Sequence, residues 1–130
     1  MTQEEILAGN KLIAEFMGKK APGNSIYNVY KLEQAFISEH DLLYNSYWDW
    51  LMPVVEKIES IYSKHHGYFG VHISSNSCNI QGTMLHLSIN DPNYGFVYIS
   101  DPNAIFDSKI ESTWYAVVEF IKWYNNAKTD

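Results

Sequence analysis

Arginine is absent from this chain, and all nine of its basic residues are lysines. Arginine supplies the planar fork that grips phosphates and guanine edges, and nucleic-acid surfaces usually show as a basic stripe. With a net charge of −6 and only Lys19 and Lys20 side by side, duplex nucleic acid is disfavoured as a partner. An acidic surface suits a basic protein better. Cysteine is nearly absent too: Cys78 stands alone, which excludes an intramolecular disulfide and fits a reducing compartment. The opening residues lack the basic start and apolar run of a signal peptide. No apolar stretch approaches the roughly 18 residues of a membrane span. The expectation is a cytoplasmic protein without a membrane anchor. What is plentiful is apolar and aromatic residues: 46% hydrophobic against 18% charged, with 10 Tyr, 6 Phe and 4 Trp. That balance builds a folded core, and the length predicts a single domain over 1–130.

Thr2 followed by Glu5 makes a capping box that opens a helix running to about Met17, with Ile6, Ile13, Phe16 and Met17 on one stripe. Pro22 and Gly23 mark a turn, and 25–37 reads as a loop with room for one short strand. A second helix is expected from Ser46, as cap, to about Ser63. Its stripe is Trp48, Leu51, Met52, Val55, Ile58 and Tyr62. Pro53 either kinks this helix or marks its regular start.

Beyond Gly67 the period falls to two. Phe69, Val71 and Ile73 alternate with Tyr68, His72 and Ser74, and Leu85, Leu87 and Ile89 with Met84, His86 and Ser88. Turns are expected at 75–77, 81–82 and 90–95, and 94–100 reads as a further strand. Ser108 with Glu111 opens a last helix whose stripe is Ile110, Trp114, Val117, Ile121 and Tyr124 and which ends at Asn125 and Asn126. The predicted fold is α+β: two layers, an antiparallel three- or four-stranded meander with three helices packed on one face.

The segments Tyr47–Glu59 and Tyr115–Asn125 resemble two helices of a family of small uncharacterised proteins from phages and mobile elements of Bacteroidota, and Asn10–Gly18 looks like that family's first helix. Together they cover about a quarter of the chain. The resemblance carries no assigned catalytic or binding residue. It implies an accessory role, of the kind in which a small phage protein binds a host or defence component.

Each candidate site has an ordinary structural reading beside it. His65 and His66 are adjacent and badly placed to chelate one ion, His40 is far off in sequence and Cys78 has no cysteine at zinc spacing, so no metal and no cofactor is expected. Asp91-Pro92 and Asp101-Pro102 read as two turns held apart by a strand, without the spaced oxygens of a calcium loop. Asp49 and Glu56 read as a helix-start charge and a solvated one. The outward face of the meander, with His72, His86, Phe96 and Tyr98, is either a wet sheet face or a recognition surface for a protein or planar ligand. Trp50 and Trp123 fall off the centres of their helix stripes. They form either an exposed patch for a partner, a second copy in a homodimer being the simplest, or a region covered by the 19–45 segment. No nucleophile, phosphate-loop or metal motif is present, so catalysis is not expected. The leading expectation is a binding protein directed at a host or defence protein; the alternative is a binder that sequesters a nucleotide-type signal.

Overall fold

A computed structural model describes residues 2–19, 29–32, 35–64, 66–82 and 106–127. Its elements are α1 (Gln3–Phe16), β1 (Val29–Leu32), β2 (Ala35–Ser38), a 3-10 turn at Glu39–Asp41, α2 (Trp48–Ser60), β3 (Tyr62–Ser63), β4 (Gly67–Ile73), β5 (Cys78–Gly82) and α3 (Lys109–Ala127). Three helices on a three-stranded antiparallel sheet, ordered β3-β4-β5, give the expected α+β architecture.

The N-cap hydrogen bond of each expected capping box forms. The Thr2 hydroxyl accepts from the Glu5 amide at 3.1 Å and Ser108 from Glu111 at 3.2 Å, satisfying donors that a helix start leaves free. At its other end α1 closes through Gly18, at φ +82°, whose left-handed turn lets the Lys19 amide reach the Ala14 carbonyl at 2.8 Å.

The second helix differs from expectation at both ends. It begins at Trp48 with Tyr47 at the cap and no side-chain capping bond, because a tyrosine has no short side-chain oxygen to reach the first-turn amides, and the Ser46 amide bonds the Leu43 carbonyl in the preceding turn. It continues through Pro53 and stops at Ser60, and Tyr62–Ser63 becomes a strand. The buried set is Leu51, Val54, Val55 and Ile58, at spacings of three, one and three, while Met52 is 38% exposed and Tyr62 points to solvent. Residue 52 sits on the margin of the face that Leu51 and Ile58 centre, Val54 lies within it, and Tyr62 is outward because it belongs to a strand and not to the helix.

The 25–37 stretch contains more order than a loop: β1 pairs with β2 antiparallel, from Val29↔Ser38 to Leu32↔Ala35, as a separate two-stranded sheet. The turn expected at 81–82 is instead the end of β5, where Gly82 faces Phe69 across the ladder. A Cβ at Gly82 would stand 2.8 Å from the His66 backbone oxygen, so glycine here serves a close approach and not a turn. The strand expected at 84–89, that at 94–100 and the two Asp-Pro turns lie outside the described residues.

The core fills the space between sheet and helices. Phe69 and Ile80 on the inner sheet face meet α2 and α3, with Phe69 edge-on to Phe120 at 5.0 Å between ring centres. Ser112 and Thr113 are buried polar residues, yet both hydroxyls bond the Lys109 carbonyl, so nothing is left unpaired as α3 approaches β5. Against α3 lies α1, joined by a close contact: at Gly9 a Cβ would fall 2.3 Å from Cζ2 of the Trp114 indole. Beside it Asn10, 3% exposed, donates to the Leu42 carbonyl (3.0 Å) and to Asn45 Oδ1 (2.8 Å) and accepts from Trp114 Nε1 at 2.8 Å. One carboxamide thus ties α1, the segment before α2, and α3 together.

Candidate functional site

The outward face of the sheet is built by the β3–β4 hairpin. A three-residue connection with Gly67 at φ +72° returns the chain so that Tyr62 lies opposite Tyr68. The two rings meet edge to face, 5.3 Å between centres, and remain 58% and 54% exposed. Strand alternation puts Gly70 and His72 on the same side as Tyr68, while Phe69 is buried on the other. His72 is exposed, as expected, and its imidazole lies back over Gly70, where a Cβ would stand 3.1 Å from Nε2. On β5, Asn79 pairs with His72 and Gln81 with Gly70. The face therefore carries two phenols, an imidazole and two carboxamides, a mixture of aromatic surface and neutral donors and acceptors. The Asn79 Oδ1 atom lies buried beneath this face, with no hydrogen-bond partner among the described residues. At the strand edge the exposed Glu59 carboxylate accepts from the Val71 amide at 3.5 Å, placing a negative charge on the rim.

His86, Phe96 and Tyr98 lie outside the described residues. Trp50 and Trp123 are half-buried and packed against the core. Trp50 meets Tyr44 edge to face at 5.1 Å, so a residue of the 19–45 segment covers it. Trp123 contacts His66, Phe69 and Phe120 at 5.3, 5.7 and 5.8 Å. Its cover is the β3–β4 connection together with the inner sheet face, and the two indoles do not join the Tyr62, Tyr68 and His72 face. The tyrosine pair was not singled out in the sequence. Tyr68 was legible as an outward position by alternation, but Tyr62 was hidden because it extends the helical spacing of α2.

The reactive groups have quiet surroundings. Burial pushes the Cys78 thiol up to about 11, a rise that its hydrogen bond with Thr113 only partly offsets, so at neutral pH it is protonated and a poor nucleophile. Burial likewise raises the Tyr44 phenol to about 12. Ser63 Oγ and His66 Nδ1 are 3.0 Å apart, but they are three residues apart in one hairpin turn, with the imidazole stacked on Phe69. Asp49 and Glu56 are both exposed on the outer side of α2. Among the described residues no cluster of three or more His, Cys, Asp or Glu is placed to hold a metal ion, and no helix is long and apolar enough to cross a membrane.

Two clefts are lined by described residues. One, of about 340 Å³, lies between α1 and the segment 40–46 and is lined by Glu4, Leu7, Asn10, Leu42, Leu43 and Asn45 among others. The other, of about 320 Å³, lies where the last turns of α1 and α2 meet α3, among Glu15, Phe16, Lys57, Ile61, Tyr124 and Asn125. There the Lys57 ammonium donates to the Phe16 carbonyl and sits 4.5 Å above the Phe16 ring, bracing the end of α1. No family model matches the sequence, and no curated protein or solved structure matches it.

Proposed function

We propose that this protein acts without catalysis, as a binding module for another protein, and that its partner is a host or defence protein met by a phage or mobile element. The observation that carries the reading is the exposed Tyr62–Tyr68 pair beside His72. Tyrosine brings large, stiff contact area with a polar tip and is enriched where proteins meet; isolated exposed rings need no explanation, but a contacting pair flanked by an exposed imidazole supports a recognition surface. The net charge of −6 and the Glu59 carboxylate on the rim suit a partner whose contact surface is ringed with lysine or arginine. The likeness of α2 and α3 to phage-borne proteins supports the setting.

The test is capture from the native bacterial host with wild-type protein and with the Tyr62→Ser/Tyr68→Ser double variant. The captured protein is then purified and its affinity measured directly. At least a tenfold loss for the variant, at unchanged stability, supports the reading. Equal affinity, or no protein partner at all, removes it.

The alternative, sequestration of a nucleotide-type signal, has one supporting observation: the 320 Å³ cleft places Lys57 beside the rings of Phe16 and Tyr124, a cation next to stacking surfaces. Mass spectrometry of small molecules released from purified protein tests it, and a nucleotide found at stoichiometric amount would favour it over the protein-partner reading.

A further inference from the structure

We infer that the cleft between α1 and the segment preceding α2 is a binding site for a neutral ligand of amide chemistry, one that carries a carbonyl acceptor and an N–H donor on an aliphatic body. Its volume of about 340 Å³ falls at the lower end of small-molecule sites, which span roughly 300 to 1,000 Å³. The apolar lining comes from Ile6, Leu7, Leu42 and Leu43. The polar part is preorganised from below. Asn10, almost fully buried and tied to the Trp114 indole, donates to the Asn45 side-chain oxygen at 2.8 Å. With its oxygen committed, the Asn45 carboxamide offers its N–H groups to the cleft that it lines. Glu4 supplies an acceptor at the exposed rim.

The same lining excludes other ligand classes. Among the described residues the lining holds no lysine and carries the Glu4 carboxylate, which repels phosphates and carboxylates. Among the described residues its one aromatic ring is the exposed His40 imidazole, with no Phe, Tyr or Trp beside it to sandwich a base or sugar. One exposed carboxylate offers a lone ammonium group little. An amide satisfies the donor and the acceptor together and sets its alkyl groups on the leucines. Such chemistry comes either from a free small amide or from an extended stretch of polypeptide. This site is distinct from the Tyr62–Tyr68 face, so its failure leaves the protein-partner reading untouched.

The experiment is an NMR titration of ¹⁵N-labelled full-length protein with N-acetyl-leucine N-methylamide and, in parallel, with an acetylated and amidated Gly-Leu-Gly-Leu-Gly peptide. The Asn45 side-chain NH₂ resonances and the Leu42 and Leu43 amides should shift and saturate, with a Kd of about 1 mM for the small amide. Asn45→Asp keeps an oxygen facing Asn10 but replaces the donor with an acceptor, and should weaken binding at least about tenfold with little change in thermal midpoint. Glu4→Ala, at the exposed rim, should weaken it severalfold and guards against a folding defect in the first variant. Tighter binding of the peptide identifies a polypeptide segment as the natural source, and equal affinity a free small amide. Absence of shifts at about 20 mM, some twentyfold above the expected Kd, overturns the inference, as do shifts confined to other residues or an Asn45→Asp protein that binds as wild type.

Discussion

Replacing Asn10 with leucine tests the joint on which the helices converge. The two side chains are close in volume, so the substitution leaves no large void and isolates the polar contribution. It removes three hydrogen bonds and strands two groups deep in the protein: the Trp114 Nε1–H, in a residue 2% exposed, and the Leu42 carbonyl, in a residue equally buried. Asn45 is only half-buried and can turn to water. A buried polar group left unpaired costs about 1 to 3 kcal/mol, and the apolar gain from leucine returns part of that. The expected loss is therefore about 2 to 4 kcal/mol. At the size of this chain that lowers the thermal midpoint by roughly 8 to 16 °C, a few degrees per kcal/mol. Urea unfolding followed by tryptophan fluorescence and far-ultraviolet circular dichroism measures it, with an unchanged m-value confirming that only stability moved. The pairwise part comes from a cycle with Trp114→Phe, which removes the indole donor: coupling of about 1 to 2 kcal/mol is expected. An Asn10→Leu protein within about 0.5 kcal/mol of wild type, or strict additivity with Trp114→Phe, would refute the assignment of Asn10 as the joint.

Gly9→Ala gains about 1 kcal/mol of helix propensity, yet its methyl would meet the Trp114 ring at 2.3 Å; a net destabilisation of roughly 1 to 3 kcal/mol by overpacking is expected, and a stabilised protein would show that α1 and α3 are not in contact there. Stability should fall in alkali. Cys78 and Tyr44 have folded-state pKa values raised to about 11 and about 12 from 9.0 and 10.0, so between those limits the folded chain holds protons that the unfolded chain releases. The contribution is complete below pH 9 and lost as pH rises through 12, about 2 to 3 kcal/mol for each group at most. Urea midpoints at pH 7.5 and 10.5 check this, with Cys78→Ala removing the earlier part of the decline, and a flat profile would contradict it. His72→Ala should change stability by less than about 0.5 kcal/mol, because the ring is exposed; marked unfolding in a thermal melt would place it inside.

Features that depend on near neighbours were legible in the residues. A capping box needs only side chains three apart, and the stripe of α3 repeats at helical spacing, so Trp114, Val117 and Ile121 were assigned to the core before any partner was known. Alternation along 68–73 likewise put His72 outside and Phe69 inside. The tertiary structure alone decided what reaches across the chain. Asn10 and Trp114 bond over 104 residues, and neither type announces the other: an asparagine on a helix reads as polar surface until a buried indole N–H and a carbonyl arrive to satisfy it. Gly82 reads as a turn until His66 is seen to occupy the space of its missing side chain. Tyr62 fits the helical period of α2 and leaves it only because pairing with Tyr68 captures the chain as a strand, which is how the exposed tyrosine pair escaped notice. Local periodicity reports which face of an element is apolar; which other element covers that face, and which polar groups are buried along with it, is settled only when segments distant in sequence come together.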